Sequence, residues 1–142
     1  MSQASLPLKI LTPMGIVYQA DVQSVTVPSM QGPLMIEPGY TNVIVALNPA
    51  GVLKINKGGK KRFFAIYGGV LHVNRVNGCE IYTEEIIDGN DIDLARAIAK
   101  RDRNQDRISK HESGIDIKRA QINLAKALAK IDAKTLTEGG KR

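Results

Sequence analysis

Ile92-Asp93-Leu94-Ala95-Arg96-Ala97 and Ile115-Asp116-Ile117-Lys118-Arg119-Ala120 carry one shared pattern, Ile-Asp-x-x-Arg-Ala. An aspartate near a helix start suits the positive end of the helix dipole, and an Asp–Arg pair three residues apart shares one helix surface. That is a structural account of both copies. The chemical alternative is an anion site. In an antiparallel helical pair, Arg96, Arg103, Arg119, Lys126 and Lys130 could converge with backbone groups near the helix start, and nucleotide phosphate is a candidate ligand. The spacing leaves both readings open.

The remaining residues offer little to reaction chemistry. HExxH, Walker A, GxGxxG and CxxC motifs are absent. His72 and His111, far apart in sequence, read as structural or surface residues rather than metal ligands. Cys79 is the one cysteine. It excludes an intramolecular disulfide and reads as a small buried hydrophobe. Glu84 and Glu85 are strand neighbours that point oppositely, a poor acid/base pair. Gly58-Gly59 reads as a hairpin turn and Gly68-Gly69 as a bulge or close strand approach. Neither doublet precedes a helix, so neither is a phosphate loop. Pro38-Gly39 reads as a rigid surface turn, Met30 and Met35 as packing residues, and Lys60-Lys61-Arg62 as a solvated hairpin shoulder.

The elements that must position these residues fall into two regions. The chain has 142 residues, 43% apolar and 24% charged, which suits one domain or a small domain with an appendage. Tryptophan is absent and aromatics are 4%, so the core must be aliphatic. No apolar run approaches the roughly 20 residues of a membrane span, and no leader pattern opens the chain. Residues 1–90 hold nine short β-like runs, the last at Glu80 to Glu84, separated by Pro, Gly and Asn. That spacing predicts a sandwich or flattened barrel. Val22, Val25 and Val27 break strict alternation and leave the register there uncertain.

After Asp88 the period changes. Asn90 or Asp91 is expected to cap a helix running to about Ser109, with Ile92, Leu94, Ala95, Ile98 and Ala99 on its apolar face. Residues 101–107 are almost wholly polar and should be solvated unless a partner covers them. Residues 110–114 read as a turn. A second helix is expected from about Ile115 to Leu136, striped by Ile117, Ala120, Leu124, Leu128 and Ile131. Small side chains at Ala120, Ala125, Ala127 and Ala129 would let another helix approach closely. The tail from Thr137 to Arg142 carries no strong signal. So thin a stripe predicts that this hairpin is the low-stability end of the molecule, able to open or repack on a partner. Charge is uneven as well. Residues 1–90 carry 7 basic and 6 acidic groups, and residues 91–142 carry 13 and 8. A basic tail suits nucleic acid, anionic lipid or an acidic protein face.

Read in order, the segments resemble the epsilon subunit family of F-type ATP synthases, called delta in mitochondria. The resemblance covers roughly Leu8 to Leu136. It rests on Leu8 to Tyr18, on Gln31-Gly32-Pro33-Leu34-Met35-Ile36-Glu37-Pro38-Gly39-Tyr40, on Asn48 to Ile55, on Gly68 to Val73, and on Asp91 to Ala97. It implies an α+β architecture: an N-terminal ten-stranded β sandwich over 1–89, followed by a C-terminal antiparallel two-helix hairpin over 90–142. It implies a non-catalytic central-stalk subunit, peripheral on the cytoplasmic face of the membrane. Its partners would be the gamma subunit, the membrane rotor ring and, through the hairpin, the alpha/beta catalytic head. No cofactor would be required.

In some bacterial relatives the compact hairpin binds ATP. The matching positions here are Ile92, Asp93, Arg96 and Ala97, with Arg103 and Arg119. Lys126 and Lys130 stand where the ATP binders use arginine, keeping the charge but losing the bidentate fork. For partner contact the resemblance points to Met30, Gln31, Pro38, Gly39 and Tyr40 in the sandwich, and to Arg103, Arg107 and Lys110 in the hairpin. Met35 and Tyr40 depart from the family's glycine and histidine. Two other classes compete. A basic nucleic-acid module lacks clear basic–aromatic interleaving in its strands. A stand-alone enzyme lacks a nucleophile–base set or metal spacing.

Overall fold

The computed structural model describes residues 4–110 and 116–139. Alternating apolar runs with Gly and Pro breaks form ten strands: β1 (Leu6–Thr12), β2 (Gly15–Val22), β3 (Ser24–Ser29), β4 (Gly32–Ile36), β5 (Val43–Ala46), β6 (Gly51–Lys57), β7 (Lys60–Ile66), β8 (Val70–Asn74), β9 (Gly78–Tyr82) and β10 (Ile86–Asp88). They make two five-stranded sheets, ordered β2-β1-β9-β8-β5 and β10-β7-β6-β3-β4. Apart from the parallel β1–β9 pair, the paired strands run antiparallel. Leu8, Ile10, Val25, Leu53, Ile55, Ile66, Leu71 and Ile81 fill the space between the sheets. The core is aliphatic, as the composition requires. Cys79 is buried in it, and burial, with Glu80 nearby, pushes its thiol up to about 12.

The irregular valines have a simple cause. Val22 closes β2 in one sheet, whereas Val25 and Val27 belong to β3 in the other. The single run read from sequence is two strands broken at Gln23. The tenth strand, β10, lies beyond the last run read from sequence. Three residues are too few to display a period. Gly58 and Gly59, at φ 59° and 80°, close the β6–β7 hairpin between Lys57 and Lys60. Both lie in the left-handed region that a two-residue hairpin turn demands. At Gly69 a Cβ would come 2.9 Å from the Thr83 Cα, so that doublet marks a close strand approach.

Beyond β10 come a short 3₁₀ turn, η1 (Gly89–Asp91), and two helices, α1 (Leu94–Lys110) and α2 (Ile117–Gly139). The two helices pack together, and α2 also lies against β6, β7 and η1. Ala129 and Ala133 of α2 meet Ala65, Tyr67 and Ile92 in a second, smaller cluster. The hairpin is therefore docked on the outer face of one sheet.

Several expectations need correction. The first helix starts at Leu94, just after its cap Asp93, because the expected caps Asn90 and Asp91 lie in η1, where the Asp88 carboxylate accepts from the Asn90 N–H at 2.9 Å. Of the apolar face expected on α1, Ile92 is buried and Ile98 half-buried, but Leu94, Ala95 and Ala99 are exposed and Ala97 is buried instead. Asn104 is buried in the supposedly solvated half and donates from Nδ2 to the Lys100 carbonyl at 2.8 Å. In α2, Leu128 is exposed, and Ala120, Ala127, Ala129 and Ala133 are buried. A helix held between a neighbouring helix and a sheet needs narrow faces on two sides, which small residues provide better than one broad stripe. The helix runs on to Gly139, past the expected end at Leu136. Of the turn expected at 110–114, Lys110 instead ends α1, and 111–114, with His111, and Ile115 lie outside the described residues. Met30 and Met35 are exposed rather than packed. Arg62 is no simple shoulder residue: it stacks over the Phe64 and Tyr18 rings, 5.0 and 5.6 Å from their centroids, and pairs with Asp88.

Candidate functional site

The repeated Ile-Asp-x-x-Arg-Ala pattern is a pair of helix caps. Asp93 accepts from the Arg96 N–H at 3.1 Å, and Asp116 accepts from the Arg119 N–H at 3.2 Å. Each aspartate thus satisfies a donor that the first helical turn leaves free. The carboxylates bond the arginine backbones, not the guanidinium groups.

Two adjoining cavities open between the hairpin and the sandwich. The first, about 340 Å³, is lined by Lys100, Arg103, Arg107, Lys126 and Lys130, with Asn104, Asn123, Glu85 and Tyr67. The second, about 310 Å³, is lined by Ile92, Asp93, Arg96 and Ala97, with Ile87 and Asp91. Lys100 and Lys130 border both. The helices explain the convergence. Arg96, Lys100, Arg103 and Arg107 recur at four-, three- and four-residue steps on one face of α1, and Lys126 and Lys130 are one turn apart on α2.

Of the residues expected at an ATP site, Ile92, Asp93, Arg96 and Ala97 line the second cavity. Arg103, Lys126 and Lys130 line the first. Arg119, exposed in the first turn of α2, lines neither. Arg107, expected at a partner surface, faces the first cavity. Lys110 is exposed and pairs with Asp106 at 3.3 Å. Tyr67, Glu85, Lys100, Asn104 and Asn123 were not anticipated. The helical spacing from Arg96 to Arg107 could have revealed Lys100, but the strand and the Asn residues carried no signal.

The charge here is unbalanced. Glu85 is the one carboxylate lining the first cavity among the described residues. Burial, and then the neighbouring Lys100, Arg96 and Lys126, hold Lys130 below the ordinary lysine range despite Glu85. The Lys126 ammonium sits over the Tyr67 ring, 5.1 Å from its centroid. Such a cavity favours an anion carrying several charges. No grouping of three or more His, Cys, Asp or Glu residues suited to a metal occurs among the described residues.

The sandwich residues expected to meet partners sit apart from these cavities. Met30, Gln31 and Tyr40 border a crevice beside the edge strands β4 and β5. Pro38-Gly39 forms a turn closed by the Tyr40 N–H to the Glu37 carbonyl at 3.2 Å, with Gly39 at φ 85°.

The sheet remote from the hairpin has a feature the sequence did not reveal. Strand register aligns Ile16, Leu11, Tyr82, Val70 and Ala46 across all five strands. Leu11 is half-buried and the other four are exposed. The next row along the strands is Gln19, Lys9, Glu80, His72 and Ile44, polar except at its edge. A continuous apolar row across an open sheet face is a surface suited to a protein partner.

The description "ATP synthase, Delta/Epsilon chain, beta-sandwich domain" fits residues 5–89, and "ATP synthase, Delta/Epsilon chain, long alpha-helix domain" fits residues 90–135. The chain is 33% identical over 128 residues to the ATP synthase epsilon chain of Bacillus velezensis, covering 90% of this chain and 96% of that one. It is 35% identical over 127 residues to the epsilon chain of Clostridium kluyveri, covering 89% and 95%. Its fold is similar to a chain in the Euglena gracilis mitochondrial ATP synthase, with a TM-score of 0.78 at 21% identity over 97% of this chain and 83% of that one. A chain from the Tetrahymena thermophila mitochondrial ATP synthase central stalk aligns with a TM-score of 0.56 at 18% identity, covering 96% and 98%.

Proposed function

The chain belongs to the ATP synthase delta/epsilon family, and from that premise we propose that its two outer sandwich faces divide the work of a central-stalk subunit. The role is non-catalytic. It couples ion movement through the membrane ring to ATP synthesis or hydrolysis at sites carried by other chains. The sandwich, 1–89, holds the gamma subunit on the apolar row from Ile16 to Ala46. Its Met30, Gln31, Pro38, Gly39 and Tyr40 end meets the rotor ring. The hairpin, 90–142, is the regulatory module. No helix among the described residues is long and apolar enough to cross a membrane, and the subunit sits peripherally on the cytoplasmic face.

The observation that carries this reading is the asymmetry of the faces: one sheet bears the hairpin and the other leaves a five-strand apolar row open. The test is association with the cognate gamma subunit, by size exclusion with light scattering. A stable one-to-one complex, lost in Val70→Asp, supports it. No complex between two folded proteins overturns it.

ATP is the regulatory ligand of the paired cavities, with phosphates among Lys100, Arg103, Lys126 and Lys130. The support is the excess of cations there and the motif residues beside them. Arg103 and Arg107 also serve the head contact, where acidic groups of the beta subunit would take the place of phosphate. One set of cations cannot do both at once, so nucleotide favours the docked hairpin and head contact the released one. Calorimetry with ATP on the isolated chain tests the first half. Absence of heat and of any competition by triphosphate removes it.

A further inference from the structure

Tyr67 directly follows β7 beneath α2, packed with Ala129, Ala133 and Ile92. It is 7% exposed. Its hydroxyl is fully buried and finds no hydrogen-bond partner among the described residues. Glu85 is close enough to act on it electrostatically, and burial first, then that carboxylate, pushes the phenol up to about 12. The backbone N–H of Tyr67 is satisfied, donating to the Glu85 carbonyl at 3.0 Å. The unmet demand belongs to the side chain alone. It arises where the hairpin covers the sheet.

We propose that Tyr67 sets the docking equilibrium of the hairpin, its ring favouring the docked state and its stranded hydroxyl opposing it. In the docked state the ring fills the small Ala129–Ala133 face and carries the Lys126 ammonium. The hydroxyl, meanwhile, meets no hydrogen-bond partner among the described residues. Once α2 lifts, water reaches the hydroxyl. A buried donor without an acceptor shifts such an equilibrium by roughly tenfold or more. The contact it opposes is modest on the α2 side, which contributes only Ala129 and Ala133 to the cluster. The tyrosine hydroxyl thus moves docking toward balance, where a bound anion or a partner can tip it. The proposal rests on the hairpin being a separable module, but not on the identity of its ligand or partner.

The experiment measures docking in the full chain without ligand. Spin labels at the exposed positions Lys57 and Thr135 report the sandwich-to-α2 distance, across a urea series that populates both states. Tyr67→Phe keeps the ring and removes the hydroxyl, and raises the docked-to-released ratio about tenfold. Tyr67→Ala removes both and lowers the ratio. An unchanged or reduced ratio in Tyr67→Phe overturns the proposal, because the hydroxyl would then be satisfied in the docked state. An equal shift in the unfolding of the sandwich also overturns it, because the effect would then not belong to docking. Gamma binding is read separately, so failure of the stalk assignment leaves this result intact.

Discussion

Gly89→Ala should release the hairpin while leaving the sandwich folded. Gly89 is buried at the start of η1, where the chain leaves β10 and passes under the end of α2. A Cβ there would overlap the Thr137 hydroxyl and come 2.9 Å from both the Ala133 and Phe63 carbonyl oxygens. The hydroxyl can rotate away, but only by giving up its 2.7 Å hydrogen bond to the Ala133 carbonyl. The two carbonyls cannot rotate, because one belongs to α2 and the other to β7. Overpacking of this kind costs about 1–3 kcal/mol. Loss of the Thr137 bond adds about 0.5–1.5 kcal/mol. Alanine returns about 0.4–1 kcal/mol by narrowing the flexible chain's choices. Central values of the three leave about 2.3 kcal/mol in favour of release, a change of roughly 50-fold in the docking equilibrium. The Lys57–Thr135 distance distribution reads it directly. Adding Thr137→Ala should rescue only part of the loss, because the carbonyl contacts remain. A docked fraction unchanged by Gly89→Ala would refute the reasoning.

Other outcomes follow from the same geometry. Arg96→Ala should weaken ATP binding and Arg119→Ala should leave it nearly unchanged, since only Arg96 lines a cavity; isothermal calorimetry on both variants checks this. Lys130→Arg should tighten ATP by restoring a bidentate fork, read as a lower dissociation constant in the same assay. Raising salt from about 10 mM to 150 mM should increase the docked fraction, because like charges along α1 and α2 are then screened within about 8 Å. A fall in docking would mean that attractions dominate there.

The Arg62–Asp88 closure should weaken in acid. Partial burial raises the Asp88 carboxyl, but the bonds from Asn90 and Arg62 outweigh it and leave its pKa lowered. A lowered carboxylate contributes stability above its ordinary value of 3.8, and that contribution is lost as pH falls through its folded value. Thermal unfolding of Asp88→Asn should therefore differ from the parent at neutral pH and converge with it in acid.

Much of this molecule was legible in one dimension. Short alternating runs between Pro and Gly breaks imply paired strands with one buried face, and the switch after Asp88 implies helices, because side-chain period follows from backbone geometry alone. Gly58-Gly59 announced its hairpin for a similarly local reason: its backbone conformation suits glycine. The resemblance placed Ile92, Asp93, Arg96 and Ala97 together, and their short spacing keeps them around the start of α1. The face that α1 buries differs from the expected one because Ala97 is covered and the larger Leu94 is not, and which side of a helix meets its neighbours is not set by its local period. What covers a residue such as Asn104 depends on where α2 lies.

Sequence by itself determined the two-part organisation, the aliphatic core and the family, all consequences of local period and residue order. Tertiary structure alone decided the rest. It gathered Lys100, Lys126 and Lys130 beside Glu85, and stranded the Tyr67 hydroxyl under α2. It also aligned Ile16, Leu11, Tyr82, Val70 and Ala46 into one row. Those five residues come from five strands, and only the hydrogen-bond register of the sheet sets which of them stand side by side.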